Sequence, residues 1–263
     1  YQAQSINAGH NAFGGRQDNI AANVCPGEVE VPATVVTADF SEKVDISDLG
    51  DGTYLYGGGS HNSVVIEFND YIAVIEAPLN ESRNLAVIDE IVKHIPNKPI
   101  RFLINTHQHH DSIGGLRTYM HIGATIITHW KNYEFYTRDV LNYSPRTLDP
   151  DMVSLWPPTE LAEGYQYEVV RENYVLTDGE RMMQLSYVHP LSHVEGMLVA
   201  YLPDQKMLIE ADLFNSFELS EGEASDANQS LYNHVQRLGL DVETIVPIHG
   251  EPRTWEDFVN ILN

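Results

Sequence analysis

The chain has 263 residues, 43% of them hydrophobic, which is enough to bury a sizeable core without crosslinks. Its 38 acidic and 15 basic residues give a formal charge of -23, which opposes binding to a phosphate backbone and argues against nucleic-acid partners. Its apolar runs fall far short of the ~20 residues a membrane helix needs, so no membrane partner is expected, and the single Cys25 cannot close an internal disulfide.

The sequence opens at Tyr1 rather than at a methionine, and the expectation is a removed upstream signal with a secreted or periplasmic location. Residues 1–40 mix Gln, Asn, Gly and Ala without sustained periodicity and are expected to form a partly irregular extension ahead of a domain at 41–263. SVVIEF (63–68) and YIAVIEAP (71–78) flank Asn69 and Asp70, the pattern of a hairpin, and the first sheet is expected to start there. LAVIDEIVKHI (85–95) has helical spacing and stops at Pro96, after which PIRFLINT (99–106) and ATIITH (124–129) read as strands. Residues 130–167 turn aromatic and irregular, with prolines at 145, 150, 157 and 158, and read as a cap whose aromatics wall a substrate pocket. Strand-like MMQLSYVHP, MLVAYLP and KMLIEADLF follow in close succession, then a helical DANQSLYNHVQRLG and a short strand TIVPIHG (244–250).

The residues able to do chemistry gather at strand ends. THQHHDSIGG (106–115) sets His107, His109, His110 and Asp111 directly after PIRFLINT; His189 and His193 follow MMQLSYV, Asp212 follows MLIEA, and His249 follows TIVPI. Strand ends that share one edge bring distant sequence into one pocket. Imidazole nitrogen combined with carboxylate oxygen suits zinc, manganese or iron far better than calcium, which prefers an all-oxygen shell. An all-thiolate site is excluded by the cysteine count. A single histidine at a strand end is usually a hydrogen-bonding or solvated residue, and His10, His94, His121, His129 and His234 are read that way. Gly114 and Gly115 allow a helix to start close to the histidine loop.

THQHHDSIGGLRTYM resembles the HxHxDH signature of the metallo-β-lactamase superfamily, and HPLSHVEGMLVAYLP, IEADLF and VPIHGE resemble its later motifs in the same order, over about residues 40–263. The resemblance implies an α/β fold, an αββα sandwich of two sheets packed face to face with helices outside. It implies a first metal site at His107, His109 and His193, a second at Asp111 and His249, and Asp212 bridging them, with Asp111 as the catalytic residue that orients the attacking water. Two departures stand out: Ser112 occupies the position where many members carry a further second-site histidine, and Glu76 the position where many have an aspartate. A hydroxyl is a poor zinc ligand beside imidazole, so one tight Zn2+ and a weaker or partly occupied second site are expected, unless His61 of the GGGSHNS loop swings in. His61 is thus a substrate contact or replacement ligand, His110 a support of the loop, and Glu76 a residue that tunes support of the metal loop. The expected activity is hydrolysis of a small amide or ester, such as a β-lactam or lactone. The alternatives are a mononuclear iron oxygenase acting on a thiol or persulfide, and a metal-binding protein without turnover.

Overall fold

The computed structural model describes residues 42–147, 150–157, 164–216 and 224–262. Residues 1–40, expected to form an irregular extension, lie outside the described residues. The first sheet begins with a hairpin that the sequence pattern does not announce, β1 (Asp45–Gly50) and β2 (Thr53–Gly57), and continues with the expected hairpin of β3 (Ser63–Glu67) and β4 (Ile72–Ile75). Helix α1 (Glu81–His94), capped by the Asn80 side chain accepting from Arg83 N, leads to β5 (Ile100–Ile104). Helix α2 (Leu116–His121), β6 (Thr125–His129), α3 (Met152–Leu155) and β7 (Tyr167–Val170) complete that half. The second sheet takes β8 (Asn173–Thr177), β9 (Met182–Tyr187), β10 (Leu198–Leu202) and β11 (Met207–Glu210), then α4 (Asp226–Leu238), β12 (Thr244–Pro247), β13 (Arg253–Thr254) and α5 (Trp255–Ile261).

The strands run in the order β1-β2-β3-β4-β5-β6-β7 in one sheet and β13-β12-β11-β10-β9-β8 in the other. Central strands covered on both faces carry apolar residues at consecutive positions, and β4 shows this: Ala73 and Ile75 join the core between the sheets, whereas Ile72 and Val74 face the helices. Val65, Leu103 and Ile126 meet Val87 and Ile91 of α1 and Leu116 of α2 on the outside of the first sheet. Val199, Leu208 and Ile245 meet Leu231 and Val235 of α4 and Phe258 of α5 on the outside of the second. The layers are therefore helix, sheet, sheet, helix. No described helix is long and apolar enough to cross a membrane.

The described residues within 130–167 correct the expectation of a cap. The stretch forms short helical turns at Trp130–Asn132, Tyr133–Phe135 and Tyr136–Val140 before α3. Tyr136, Val140, Leu141 and Val153 are buried in the helix-side core of the first sheet, with Tyr143, Tyr165 and Tyr167 packed against it. Helix α2 has 6 residues, about 9 Å of helix, and these side chains extend the cover that so short a helix provides. Trp130, Tyr133 and Trp156 remain exposed.

Strand direction decides where the loops emerge. Strands β4 to β7 are mutually parallel and β3 is antiparallel to β4, so the end of β5 and the start of β3 share one edge. Because β10 is antiparallel to both β9 and β11, and β11 is parallel to β12, the ends of β9, β11 and β12 share an edge of the other sheet. Two backbone hydrogen bonds stitch these edges together: Leu198 N donates to Thr106 O at 2.9 Å and Asn62 N to Ile248 O at 2.9 Å.

Candidate metal centre

The histidine loop is fastened before its ligands begin. Thr106 N donates to Glu76 Oε1 at 2.5 Å, and Asn105 Nδ2 lies 3.2 and 3.3 Å from the two Glu76 oxygens and 3.0 Å from Ser112 O. Tyr136 donates its hydroxyl to Asn105 Oδ1. Glu76 is fully buried, and burial pushes its carboxyl pKa up to about 7 against the opposing hydrogen bond from Thr106. The glycine pair has a steric reason: a Cβ on Gly114 would lie 2.0 Å from Leu79 O, and one on Gly115 would lie 2.1 Å from the Asn84 side chain. The loop closes there against the β4–α1 connection, with Leu79 N donating to Asp111 O at 2.7 Å and Gly115 N to Ala77 O at 2.9 Å.

His107, His109, His193 and Asp212 form one group. Around Asp212 Oδ2 stand His107 Nε2 at 2.9 Å, His193 Nε2 at 3.1 Å and His109 Nδ1 at 3.3 Å. Thr106 Oγ1 lies 2.9 Å from His107 Nδ1, which fixes the ring and leaves Nε2 for the centre. Burial works to raise the proton affinity of Asp212, but the imidazoles of His107 and His249 outweigh it and hold the carboxyl far below the usual range. Burial lowers the proton affinity of His107 and favours the neutral ring that a metal requires.

His61, Asp111 and His249 form a second group beside the first. Asp212 faces both, because its Oδ1 lies 2.7 Å from His249 Nε2. Asp212 takes a left-handed backbone (φ 61), and the buried Glu210 supports that turn by accepting from Leu213 N at 2.9 Å and Phe214 N at 3.1 Å. Sequence reasoning missed Glu210; its only signal is a carboxylate at the end of the apolar run MLIE.

The donor set fits divalent ions. His107 Nε2 and Asp212 Oδ1 are buried and make no aligned hydrogen bond among the described residues, although each lies within 3 Å of a partner atom of opposite type. Short but misaligned contacts are what donors produce when their lone pairs converge on a shared space rather than on one another. A nitrogen-rich first group and an adjoining mixed group suit a borderline metal such as zinc.

Other residues singled out in the sequence lie elsewhere. The His110 side chain is 98% exposed, with Nδ1 3.9 Å from Asp111 Oδ1; a ring so exposed gives the loop little packing among the described residues, which corrects the supporting role expected for it. Ser112 is fully buried toward Glu76, its hydroxyl making no aligned hydrogen bond among the described residues. His189 joins neither group and lies 3.4 Å from Glu172 Oε2. His94, His121, His129 and His234 bond to Tyr56, Trp156 O, Arg171 O and Ser186 respectively, while His10 lies outside the described residues.

A family model described as the metallo-beta-lactamase superfamily matches residues 56–249. Among solved structures, a metallo-beta-lactamase from Pontibacter korlensis is similar at 14% identity and TM-score 0.64, over 84% of this chain and 97% of that one. One from Pseudomonas aeruginosa in its mono-zinc form is similar at 17% identity and TM-score 0.59, over 83% and 93%. One from Hirschia baltica is similar at 19% identity and TM-score 0.58, over 83% and 96%. Likeness at these identities is likeness of fold, and the two packed sheets agree with it. The family match spans more than half of the chain and contains both groups of ligands, so the chain belongs to the metallo-β-lactamase superfamily.

Proposed function

We propose that the protein is a metal-dependent hydrolase that opens a small amide or ester, with a β-lactam or lactone ring as the preferred class. The carrying observation is the adjacency of the two groups through Asp212, whose two oxygens face His107, His109 and His193 on one side and His249 on the other. A divalent ion at such a site brings the pKa of water down to about 7 and polarises a carbonyl oxygen. His107, His109 and His193 would hold it in the first group, and Asp111 and His249 would serve the second. Asp111 is half-buried; burial works to raise its proton affinity, but the hydrogen bond and charge of His61 together with a backbone hydrogen bond hold it below the usual carboxylate range. Its carboxylate can therefore accept a hydrogen bond from the attacking water and fix its direction.

A groove of about 460 Å³ opens beside the loop that carries His193, with Trp130, Tyr187 and Leu191 among its lining and Lys131, Glu172 and Glu195 also on its wall. A wall that mixes aromatic and aliphatic faces with charged groups suits a small molecule with both apolar and polar parts, and the charge of -23 disfavours polyanionic substrates. A mononuclear iron oxygenase would need the first group alone, so the second favours the hydrolase. The test is turnover by zinc-loaded protein on a panel of β-lactam, lactone, thioester and phosphodiester substrates, with oxygen uptake and iron content measured alongside. Hydrolysis concentrated in the first two classes is expected; oxygen consumption with dominant iron, or no turnover on any substrate, overturns the reading.

A further inference from the structure

We propose that His61 is a metal ligand that completes the second site in place of a nitrogen at position 112. The inference rests on the hydrolase reading only in assuming that divalent ions bind at this edge. His61 Nε2 lies 3.2 Å from Asp111 Oδ2, and its ring meets the His249 ring edge to face with centroids 4.1 Å apart. Ligand atoms of His61, Asp111 and His249 all lie within 4.8 Å of one another. Asp212 Oδ1, 2.7 Å from His249 Nε2, adjoins this group from the side of the first. Ser112, by contrast, is fully buried toward Glu76.

The structure also holds His61 in position, so no swing of the loop is needed. Ser60 Oγ lies 2.8 Å from His61 Nδ1, which occupies that nitrogen and leaves Nε2 for Asp111 and the centre. A hydrogen-bond partner on the far ring nitrogen is the usual means of orienting a ligand histidine. The next residue, Asn62, is buried and tied to the chain around His249: its N donates to Ile248 O at 2.9 Å, and its Nδ2 lies 2.7 Å from Gly250 O and 3.3 Å from Pro247 O. His61 and His249 are thereby registered to each other by backbone. At the root of the loop, the buried Arg83 donates Nη2 to Gly57 O at 2.7 Å and Tyr56 O at 3.0 Å, and Nη1 to Lys43 O at 2.7 Å. Gly58 is required there, since it has φ +103 and a Cβ would lie 2.4 Å from Lys43 O. An imidazole side chain only 10% exposed, oriented from behind and followed by a residue locked to the backbone around His249, has the preorganisation of a ligand.

The test is zinc titration of metal-stripped full chain by calorimetry, on the natural protein and on His61→Ala, His61→Gln and Ser112→Ala. The natural protein should bind two ions. His61→Ala should weaken the second by at least about tenfold and leave the first within about twofold. His61→Gln keeps a hydrogen-bond donor for Asp111 but replaces imidazole with an amide; it should lose the second ion as His61→Ala does, whereas Ser112→Ala should bind both as the natural protein does. With Co2+ in place of zinc, the absorption bands of the second ion should change in both His61 variants. Retention of natural second-ion affinity in either His61 variant, or selective loss in Ser112→Ala, overturns the proposal. Titration reads the site without substrate, so an absence of turnover would defeat the hydrolase reading and leave this result standing.

Discussion

Tyr136 lies in the stretch that sequence pattern presents as a cap, yet its hydroxyl reaches the base of the metal loop. It is fully buried and donates to Asn105 Oδ1, while Asn105 Nδ2 is shared between Glu76 and Ser112 O. Tyr136→Phe removes one donor and almost no volume, and leaves the Asn105 oxygen buried without it. Leaving a buried acceptor unsatisfied costs about 1–3 kcal/mol. Asn105 directly precedes Thr106, whose hydroxyl sits on His107 Nδ1, so part of that cost should appear as looser ligands and a first-ion affinity reduced by about tenfold. Tyr136→Ala also opens a cavity and should cost about 3–5 kcal/mol. Urea unfolding of the metal-stripped protein gives the stability term, and competitive zinc titration against a chelator gives the affinity term. A Tyr136→Phe protein with unchanged unfolding midpoint and unchanged zinc affinity would refute the coupling, and a folded, metal-tight protein lacking residues 130–147 would restore the cap.

Removing either His107 or His193 by substitution with alanine should abolish first-ion binding and turnover together, read by metal content after dialysis; full metal in both variants would show the wrong ligands. Gly114→Ala should cost about 3 kcal/mol or more in thermal unfolding, because the Cβ lands 2.0 Å from a backbone oxygen that has no side-chain freedom to yield; an unchanged melting temperature contradicts the packing described. His234 should make the protein acid-sensitive. Burial, and then Arg237, whose donor occupies Nδ1 at 3.0 Å, hold its pKa at about 4 against 6.5 in an open chain. Between those pH values the unfolded chain binds more protons, so the contribution is fully present above pH 6.5 and about 3 kcal/mol is lost as pH falls to 4. Urea midpoints across that range should fall less steeply in His234→Gln, and parallel curves would contradict the assignment.

The grouping of the candidate ligands is legible in the sequence because they sit at strand ends. His107, His109, Asp111, His193, Asp212 and His249 each follow an apolar run, and runs of that kind read as strands without knowledge of pairing. Strands buried on both sides were equally plain, as in IAVI and LVAYL, where every residue is covered. Strands with exposed faces were not: DISDLG is exposed at five of six positions and half-covered at the other, and NYVLT buries one residue, so neither shows an apolar period to find. The aromatic stretch misled for a related reason. Tyr136, Tyr143 and Tyr165 have the same composition whether they wall a pocket or fill a core, and only their packing on the helix side of the first sheet decides between them. His61 reads in the sequence as a substrate contact or replacement ligand, but the position proposed for it depends on a hydrogen bond from Asn62 to a backbone 186 positions away at Ile248, which no local spacing encodes.

A paired metal centre divided by Asp212 is visible to anomalous diffraction at the zinc edge from crystals grown with excess zinc. Two peaks are predicted: one within about 2.0–2.1 Å of nitrogens from His107, His109 and His193, the other bounded by Asp111, His249 and His61, with an Asp212 oxygen turned to each. A single strong peak away from those three histidines, or a second peak lying outside the His61, Asp111 and His249 group, would contradict it.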